Sequence, residues 1–581
     1  MSNMFRLALA ACFIFASSLV AVAEEADLIL HNGTVLTVDA AMSEAQAVAL
    51  KDGKFLAVGD DATVLKLRGP KTEVIDLGGK VVVPGLIDSH VHPGGAAMHE
   101  FEHEIPVMES IQDVLDYVKH RADVLDDGEW IGLSQVFITR LKERRYPTKA
   151  ELDAVAPNNP VVFSTGPDSS VNSMALKLSG IDKDFVSPDP AAKVEKDPKT
   201  GEPTGILRSG GRFLKRTPNK RTKSATEEDT LNRLAELFAD YNRNGITGVC
   251  DRNCSQGATG NYQKLLAADR LTVRMAVSRG VGNSGAVEKL VENIKAVAKE
   301  PLVKGGPMLR IVGIKCFLDG GMLTGSAYMR EPWGVSDIYS ISDPTYQGML
   351  YIPQDKLVPM VRAAVESGLQ FTAHSVGDGA VHALLAAYET VNQSTPVAPT
   401  RPCLTHSNFM SKEAVEQCAK LGVVCDIQPA WLWLDGETLR AQFGDARLRY
   451  FQPHKSLFAA GVTVGGGSDH MQKIGGVRSV NPYDPWLGMQ IAMTRMPRGA
   501  TTPLHPEEIP SRADVLRMYT TLNARLMFLE KETGSIEPGK LADLVVVDRN
   551  PLTCPVETVR ETKVFRTYLG GKLVYSGDGA R

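Results

Sequence analysis

The sequence predicts an α/β protein built on a (β/α)8 TIM-type barrel, with a composite β-sandwich made from both chain ends. Three observations carry this. Eight short apolar strands alternate with helical segments through the centre of the chain. Both ends read instead as short strands with tight turns. A long stretch between the first two central strands exceeds what one crossover helix needs.

The 581 residues suffice for a large barrel and a smaller partner domain. Hydrophobic content of 43% and charged content of 23% are ordinary for a globular protein. A net charge of −4 gives no electrostatic case for nucleic acid or an anionic membrane. At the amino terminus Arg6, the apolar run Leu7 to Val20 and the small-residue site Ala21-Val22-Ala23 read as a cleavable signal peptide over residues 1–23. The run is too short for a stable membrane span, and a periplasmic or secreted location is expected. Of eight cysteines Cys12 leaves with the leader, so seven remain. Cys250, Cys316, Cys403 and Cys425 sit in apolar strand-like runs, where buried small hydrophobes are expected rather than a disulfide framework.

Residues 24–83 form the amino-terminal part of the sandwich, with strand-like runs at Leu28-Ile-Leu, Ala47-Val-Ala-Leu and Phe55-Leu-Ala-Val and turns at Asn32-Gly33 and Asp52-Gly53. Residues 531–581 supply the rest, through Leu544-Val-Val-Val-Asp548, Val564–Leu569 and Gly570–Tyr575. Between them, residues 84–530 hold the barrel strands Gly85–His92, Ile246–Arg252, Val273–Arg279, Ile311–Asp319, Gln370–Ser375, Pro402–Ser407, Val423–Gln428 and Val462–Asp469. Helices are expected at Glu227–Asn242, Val287–Ala298, Leu357–Ser367, Ala380–Val391 and Lys412–Leu421. An inserted subdomain occupies about 95–225.

Functional groups of such barrels sit at the carboxyl ends of the strands. The first strand ends in His90-Val-His92, with Asp88 in phase. Residues two apart on a strand project to one side, so both imidazoles face the same way and make half of a metal site. The fourth strand carries Lys315 inside an apolar run. The fifth ends at His374, the sixth at His406 and the eighth in Gly465-Gly-Gly-Ser-Asp469. A lone strand histidine is more often a hydrogen-bonded core residue, a lone lysine snorkels, and Ser-Asp after glycines is commonly a helix cap. Five such accidents at one end of a barrel do not explain the pattern, and a metal site does. His31, His99, His103, His120, His382, His454 and His505 lack this placement and read as structural, while His470 stays open. Glycines 465 to 467 are expected to let the chain turn tightly near the site.

These motifs resemble the amidohydrolase superfamily, in particular its YtcJ-like branch (amidohydrolase family 3), which includes N-substituted formamide deformylases. The resemblance rests on Pro84-Gly-Leu-Ile-Asp-Ser-His-Val-His92, Gly245-Ile-Thr-Gly-Val, Lys315-Cys-Phe-Leu-Asp-Gly320, Ala373-His374, Thr405-His406, Gly467-Ser-Asp469 and the closing Gly534–Leu544. This chain departs from the family at Gly321-Met-Leu-Thr-Gly325, where a Ser-Leu-Gly run is more usual, and that bears on substrate preference. The resemblance implies two divalent cations, with zinc the expected metal and manganese, iron or nickel not excluded. His90, His92 and Asp469 would hold the first, His374 and His406 the second, and a carbamylated Lys315 would bridge them. It also implies hydrolysis of a carbon–nitrogen bond, most simply an amide of a small molecule, with Asp469 as general base and then general acid.

Trp431, Trp433 and Tyr328, with Trp333, could line an apolar substrate pocket or be packing aromatics. Arg495 reads as a structural ion pair rather than a contact to a substrate carboxylate. Alternatives from other classes are a one-metal deaminase-type or cyclic-amide hydrolase with Lys315 unmodified, and a periplasmic binding or regulatory protein without catalysis. A homodimer is compatible with the sequence.

Overall fold

The computed structural model describes residues 24–189, 192–220 and 223–577, and the expected leader at residues 1–23 lies outside them. The eight central strands form one parallel sheet in chain order. They are β1 (Leu86–Val91), β2 (Ile246–Cys254), β3 (Arg274–Gly280), β4 (Leu309–Phe317), β5 (Gln370–Ser375), β6 (Cys403–His406), β7 (Val424–Ile427) and β8 (Val464–Gly466). All six residues of β1 and all four of β7 are buried, as expected for strands covered on both faces.

The sheet closes between β8 and β1. The Asp469 amide donates to the His90 carbonyl at 2.8 Å, and the His92 amide to the His470 carbonyl at 2.7 Å. Asn523 stitches the same seam, its side-chain amide donating to the carbonyls of Ile87 and Gly466. The barrel expected from the strand count is therefore present.

Helices cover the barrel where the apolar spacing places them. Val287–Val297 buries Leu290, Ile294 and Val297, a stripe at helical spacing. Glu227–Arg243 begins in a Thr226/Asp229 capping box. Lys412–Leu421 is capped by Ser411 and ends at Gly422 in the left-handed region (φ 66°).

The stretch between β1 and β2 carries its own five-stranded sheet, with Lys193–Lys196, Pro203–Arg208, Asp168–Val171, Val161–Thr165 and Ile131–Leu133 in that order. One hydrophobic cluster, with Trp130, Val162, Val171 and Leu207, holds it together. A second cluster joins its Phe137 and Phe163 to Met322, Leu323 and Trp431 on the barrel's loops. The insertion thus packs onto the carboxyl ends of the barrel strands.

Two further sheets are built from the segments that flank the barrel in the sequence. A six-stranded one mixes both chain ends, Val81–Pro84 pairing antiparallel with Leu544–Val547. A four-stranded one comes from the amino-terminal segment alone, in the order Lys54–Gly59, Ala47–Lys51, Leu28–His31, Glu73–Asp76. Arg274 on β3 ties the barrel to this region through a bidentate pair with Asp543, at 2.6 and 2.8 Å. All seven described cysteines are free, and six are buried. Among the described residues no helix is long and apolar enough to cross a membrane.

Candidate active site

The polar strand ends converge on one cavity of about 600 Å³. His90, His92, Lys315, His374, His406 and Asp469 all line it. His90 Nε2 and His92 Nε2 are 3.2 Å apart, and each is 3.2 Å from Asp469 Oδ1. Two imidazole nitrogens and a carboxylate oxygen so make an equilateral set of ligand atoms. The remaining rings follow in a chain, with His90 stacked on His406 at 5.0 Å between centroids and His406 edge-on to His374 at 4.6 Å.

Three of the four histidines are held by their other ring nitrogen. His90 Nδ1 is 3.0 Å from Asp426 Oδ2, His374 Nδ1 is 2.9 Å from Asp319 Oδ1, and His406 Nδ1 is 2.8 Å from Gln428 Oε1. An acceptor at Nδ1 fixes the proton there and leaves the Nε2 lone pair free, the arrangement that metal-ligating histidines show. Burial, then the neighbouring Lys315, pushes His90 well below its ordinary value. Burial and His374 do the same to His406. Both are neutral at physiological pH, as ligands must be. Burial also brings the Lys315 amine down to about 8, against the pull of Asp426. The donor set suits a divalent cation of borderline hardness, and the residues present fit such an ion.

The local backbone explains these placements. Asp319 accepts hydrogen bonds from the amides of Tyr328, Val376 and Gly377 as well as from His374, so one carboxylate fixes the ends of β4 and β5 together. Glycines 465 to 467 do not turn the chain as the sequence suggested, since none has a positive φ. They permit close approach instead: a Cβ at Gly467 would lie 2.9 Å from His90 Cβ. His470 faces away from the cluster, between the Tyr241 hydroxyl at 2.8 Å and the carbonyls of Gln472 and Lys473.

The cavity wall departs from the expectation at two aromatics. Trp431 lines the cavity and stacks on His406 at 4.8 Å. Trp433 does not, because a helix starts at Pro429 and residues two apart on a helix diverge by about 200°. Its ring meets the Arg498 guanidinium at 5.6 Å. The Tyr328 ring packs on Gly379 at the start of helix Asp378–Asn392, outside the cavity lining. Trp333 is a packing aromatic that donates to the Ala327 carbonyl. Among the described residues buried Arg495 makes no ion pair; it donates to the carbonyls of Leu504, Gln452 and Phe451.

Several wall residues carry no signal in the sequence. The insertion supplies Gln135, Phe137, Thr165 and Ser209, and the Gly321–Thr324 run of the divergent motif faces them. Phe317, two residues after Lys315, exposes 36% of its surface, and its ring lies 5.4 Å from that of His374. Asp426 and Gln428 had a signal: two polar residues in one phase of a buried apolar strand.

A closed parallel barrel with imidazoles, a buried lysine and a carboxylate around one cavity defines the class of metal-dependent barrel hydrolases. Known proteins resemble this chain along most of its length. A model of the amidohydrolase family matches residues 73–575. N-substituted formamide deformylase of Arthrobacter pascens is 30% identical over 95% of this chain and 99% of its own length. The Bacillus subtilis protein YtcJ is 26% identical, covering 94% of this chain and 99% of its own. The crystal structure of a metal-dependent hydrolase from Pyrococcus horikoshii has a TM-score of 0.64 at 21% identity, covering 91% of this chain and 99% of that one, and shows the shared fold. The chain belongs to the amidohydrolase family. It is a hydrolase of carbon–nitrogen bonds other than peptide bonds.

Proposed function

We propose that this enzyme hydrolyses a small-molecule amide of the N-acyl or N-formyl type by binuclear metal chemistry, with Asp469 as the proton carrier. The observation that carries the reading is the 3.2 Å triangle of His90 Nε2, His92 Nε2 and Asp469 Oδ1, with Lys315, His374 and His406 on the same cavity. His90, His92 and Asp469 would hold one divalent cation, with zinc the best match to the donors, and His374 and His406 a second. Lys315 would join the two as a carbamate. When bound, the cations supply a polarised substrate carbonyl and a water acidified toward a pKa of ~7.

The protein's own groups do the rest. A lysine brought to about 8 is neutral in a useful fraction of molecules at physiological pH. The neutral amine adds carbon dioxide and releases one proton, giving an anionic carbamate with two oxygens. Asp469 accepts a proton from the attacking water as the carbon–oxygen bond forms. It returns that proton to the amide nitrogen as the carbon–nitrogen bond breaks, so an acid and an amine leave. Phe137, Phe317, Met322, Leu323, Trp431 and Met471 give the cavity an apolar wall for the substituent of that amine. The name of the Arthrobacter pascens relative directs the first assays to N-substituted formamides. A signal peptide at residues 1–23 and a periplasmic or secreted location are part of this proposal.

One observation favours a second reading. His90, His92 and Asp469 are the single tight ligand cluster of three or more among the described residues, which suits one cation and an unmodified Lys315. Both readings predict hydrolysis in a panel of N-substituted formamides, N-acyl amino acids and cyclic amides, abolished by chelation and restored by zinc or manganese. A metal-loaded protein that cleaves nothing in that panel sinks both.

A further inference from the structure

Strand β7 contributes no ligand to the cluster, yet two of its neighbouring positions touch both halves of it. Asp426 Oδ2 accepts from His90 Nδ1 at 3.0 Å, and Asp426 Oδ1 accepts from Ser89 Oγ at 2.7 Å. Gln428 Oε1 accepts from His406 Nδ1 at 2.8 Å, and Gln428 Nε2 donates to Asp426 Oδ1 at 3.1 Å. The two residues lie two apart along the chain, so their side chains share a face, and both are wholly buried. A continuous line of hydrogen bonds therefore runs His90–Asp426–Gln428–His406 beneath the cavity. Arg252 anchors it, with Nε 3.5 Å from Asp426 Oδ2 and Nη1 bonded to Ser278 and Gln370.

The donors and acceptors along this line agree in only one sense. A glutamine offers one acceptor and one donor end, and a carboxylate only accepts. With the oxygen of Gln428 on His406 and its nitrogen on Asp426, both histidines keep their proton on Nδ1 and present Nε2 to the cavity.

We propose that Asp426 and Gln428 form a positioning strut that couples the two histidine pairs, so that the first cation's ligands and the second's are held as one unit. Neither touches substrate. The inference rests on the metal assignment made above. Outer partners of ligating histidines contribute about 10–100-fold in metal affinity, and a shared partner makes a loss at one pair felt at the other.

The test exploits the polarity of the line. Asp426→Asn and Gln428→Glu each break it, the first by removing an acceptor and the second by setting two carboxylates against each other. The double variant restores it in reverse. The amide nitrogen introduced at position 426 then donates to the carboxylate introduced at position 428, which also accepts from His406. The amide oxygen at position 426 accepts from His90. Each purified protein is loaded with cobalt(II), and the absorption spectrum, the rate of metal release to a chelator and the melting of the apo-protein are measured. The strut predicts that each single variant loses metal about 10–100-fold faster with a shifted cobalt spectrum. The double variant recovers most of the loss in metal retention, while apo-protein melting separately reports the lost Arg252–Asp426 pair, which lowers both proteins that carry Asp426→Asn. Should a single variant fail to fold, Gln428→Met keeps the volume, breaks the link and accelerates release of both cations. Single variants that hold cobalt like the wild type, or a double variant no better than the worse single, overturn the strut. A wild type that binds no cobalt overturns the metal assignment itself.

Discussion

His90 Nε2 lies 3.2 Å from Asp469 Oδ1 across the seam where the barrel closes. The same two residues are joined through the backbone, Asp469 N–H donating to the His90 carbonyl at 2.8 Å. Closing the barrel and assembling the ligand set are therefore one structural event. Asp469 stands in the left-handed region (φ 57°), a conformation fixed by this seam and by the Asn481 amide donating to its carbonyl at 2.9 Å.

Asp469→Asn keeps this geometry and removes the proposed proton acceptor. It should lower kcat by about 10²–10⁴-fold, while plasma emission still finds metal on the protein. A variant that keeps more than about a tenth of wild-type kcat would contradict the general-base role.

Phe317 tests the apolar wall. Phe317→Ala should lower kcat/KM for an amide with an aromatic amine substituent by about 10–100-fold, the cost of one lost aromatic contact. The matching N-methyl amide should change little. Equal losses on both substrates would mean that the ring supports Lys315 or His374 instead of the substrate.

The join between the barrel and the sheet from the chain ends depends on Asp543, which is buried and accepts from Arg274, Thr533 and the Gly570 amide. Asp543→Ala strands the Arg274 charge and should destabilise the protein by about 3–5 kcal/mol in denaturant unfolding. A loss below about 1 kcal/mol would show that the two regions hold together without the pair.

A pH effect on stability comes from His454, remote from the cavity lining. It is wholly buried, and burial, then the Arg495 charge, brings it from 6.5 to about 3. Between those values the unfolded chain binds a proton that the folded protein does not. Its contribution is thus complete above pH 6.5 and is lost as the pH falls toward 3, about 2–3 kcal/mol by pH 4.5. Chemical denaturation at pH 7 and 4.5 should give His454→Gln a shallower acid loss than wild type by that amount. Parallel pH profiles would refute the assignment.

The barrel and the polar ends of its strands were legible because buried parallel strands are short continuous apolar runs, and a His, Lys or Asp ending one stands out. Helix Lys412–Leu421 could be placed to the residue by its Ser cap and Gly stop. Trp431 and Trp433 read alike in the sequence, and only the helix that starts at Pro429 turns Trp433 away from the cavity. Asp426 and Gln428 were visible as polar residues in phase, but their partners at 90 and 406 meet them only in the closed barrel. Gln135, Thr165 and Ser209 reach the cavity through the packing of the insertion, which no local pattern encodes. Gly467 reads as a turn in sequence and is a contact surface for His90 in space.

The proposed binuclear centre would be joined through Lys315. Its most direct test is a metal titration of the apo-protein in bicarbonate buffer, with amide hydrolysis and bound metal measured on the same samples. Activity should saturate at two cations per chain in the wild type, and Lys315→Ala should bind fewer and stay inactive. Full wild-type activity at one cation per chain would contradict the account.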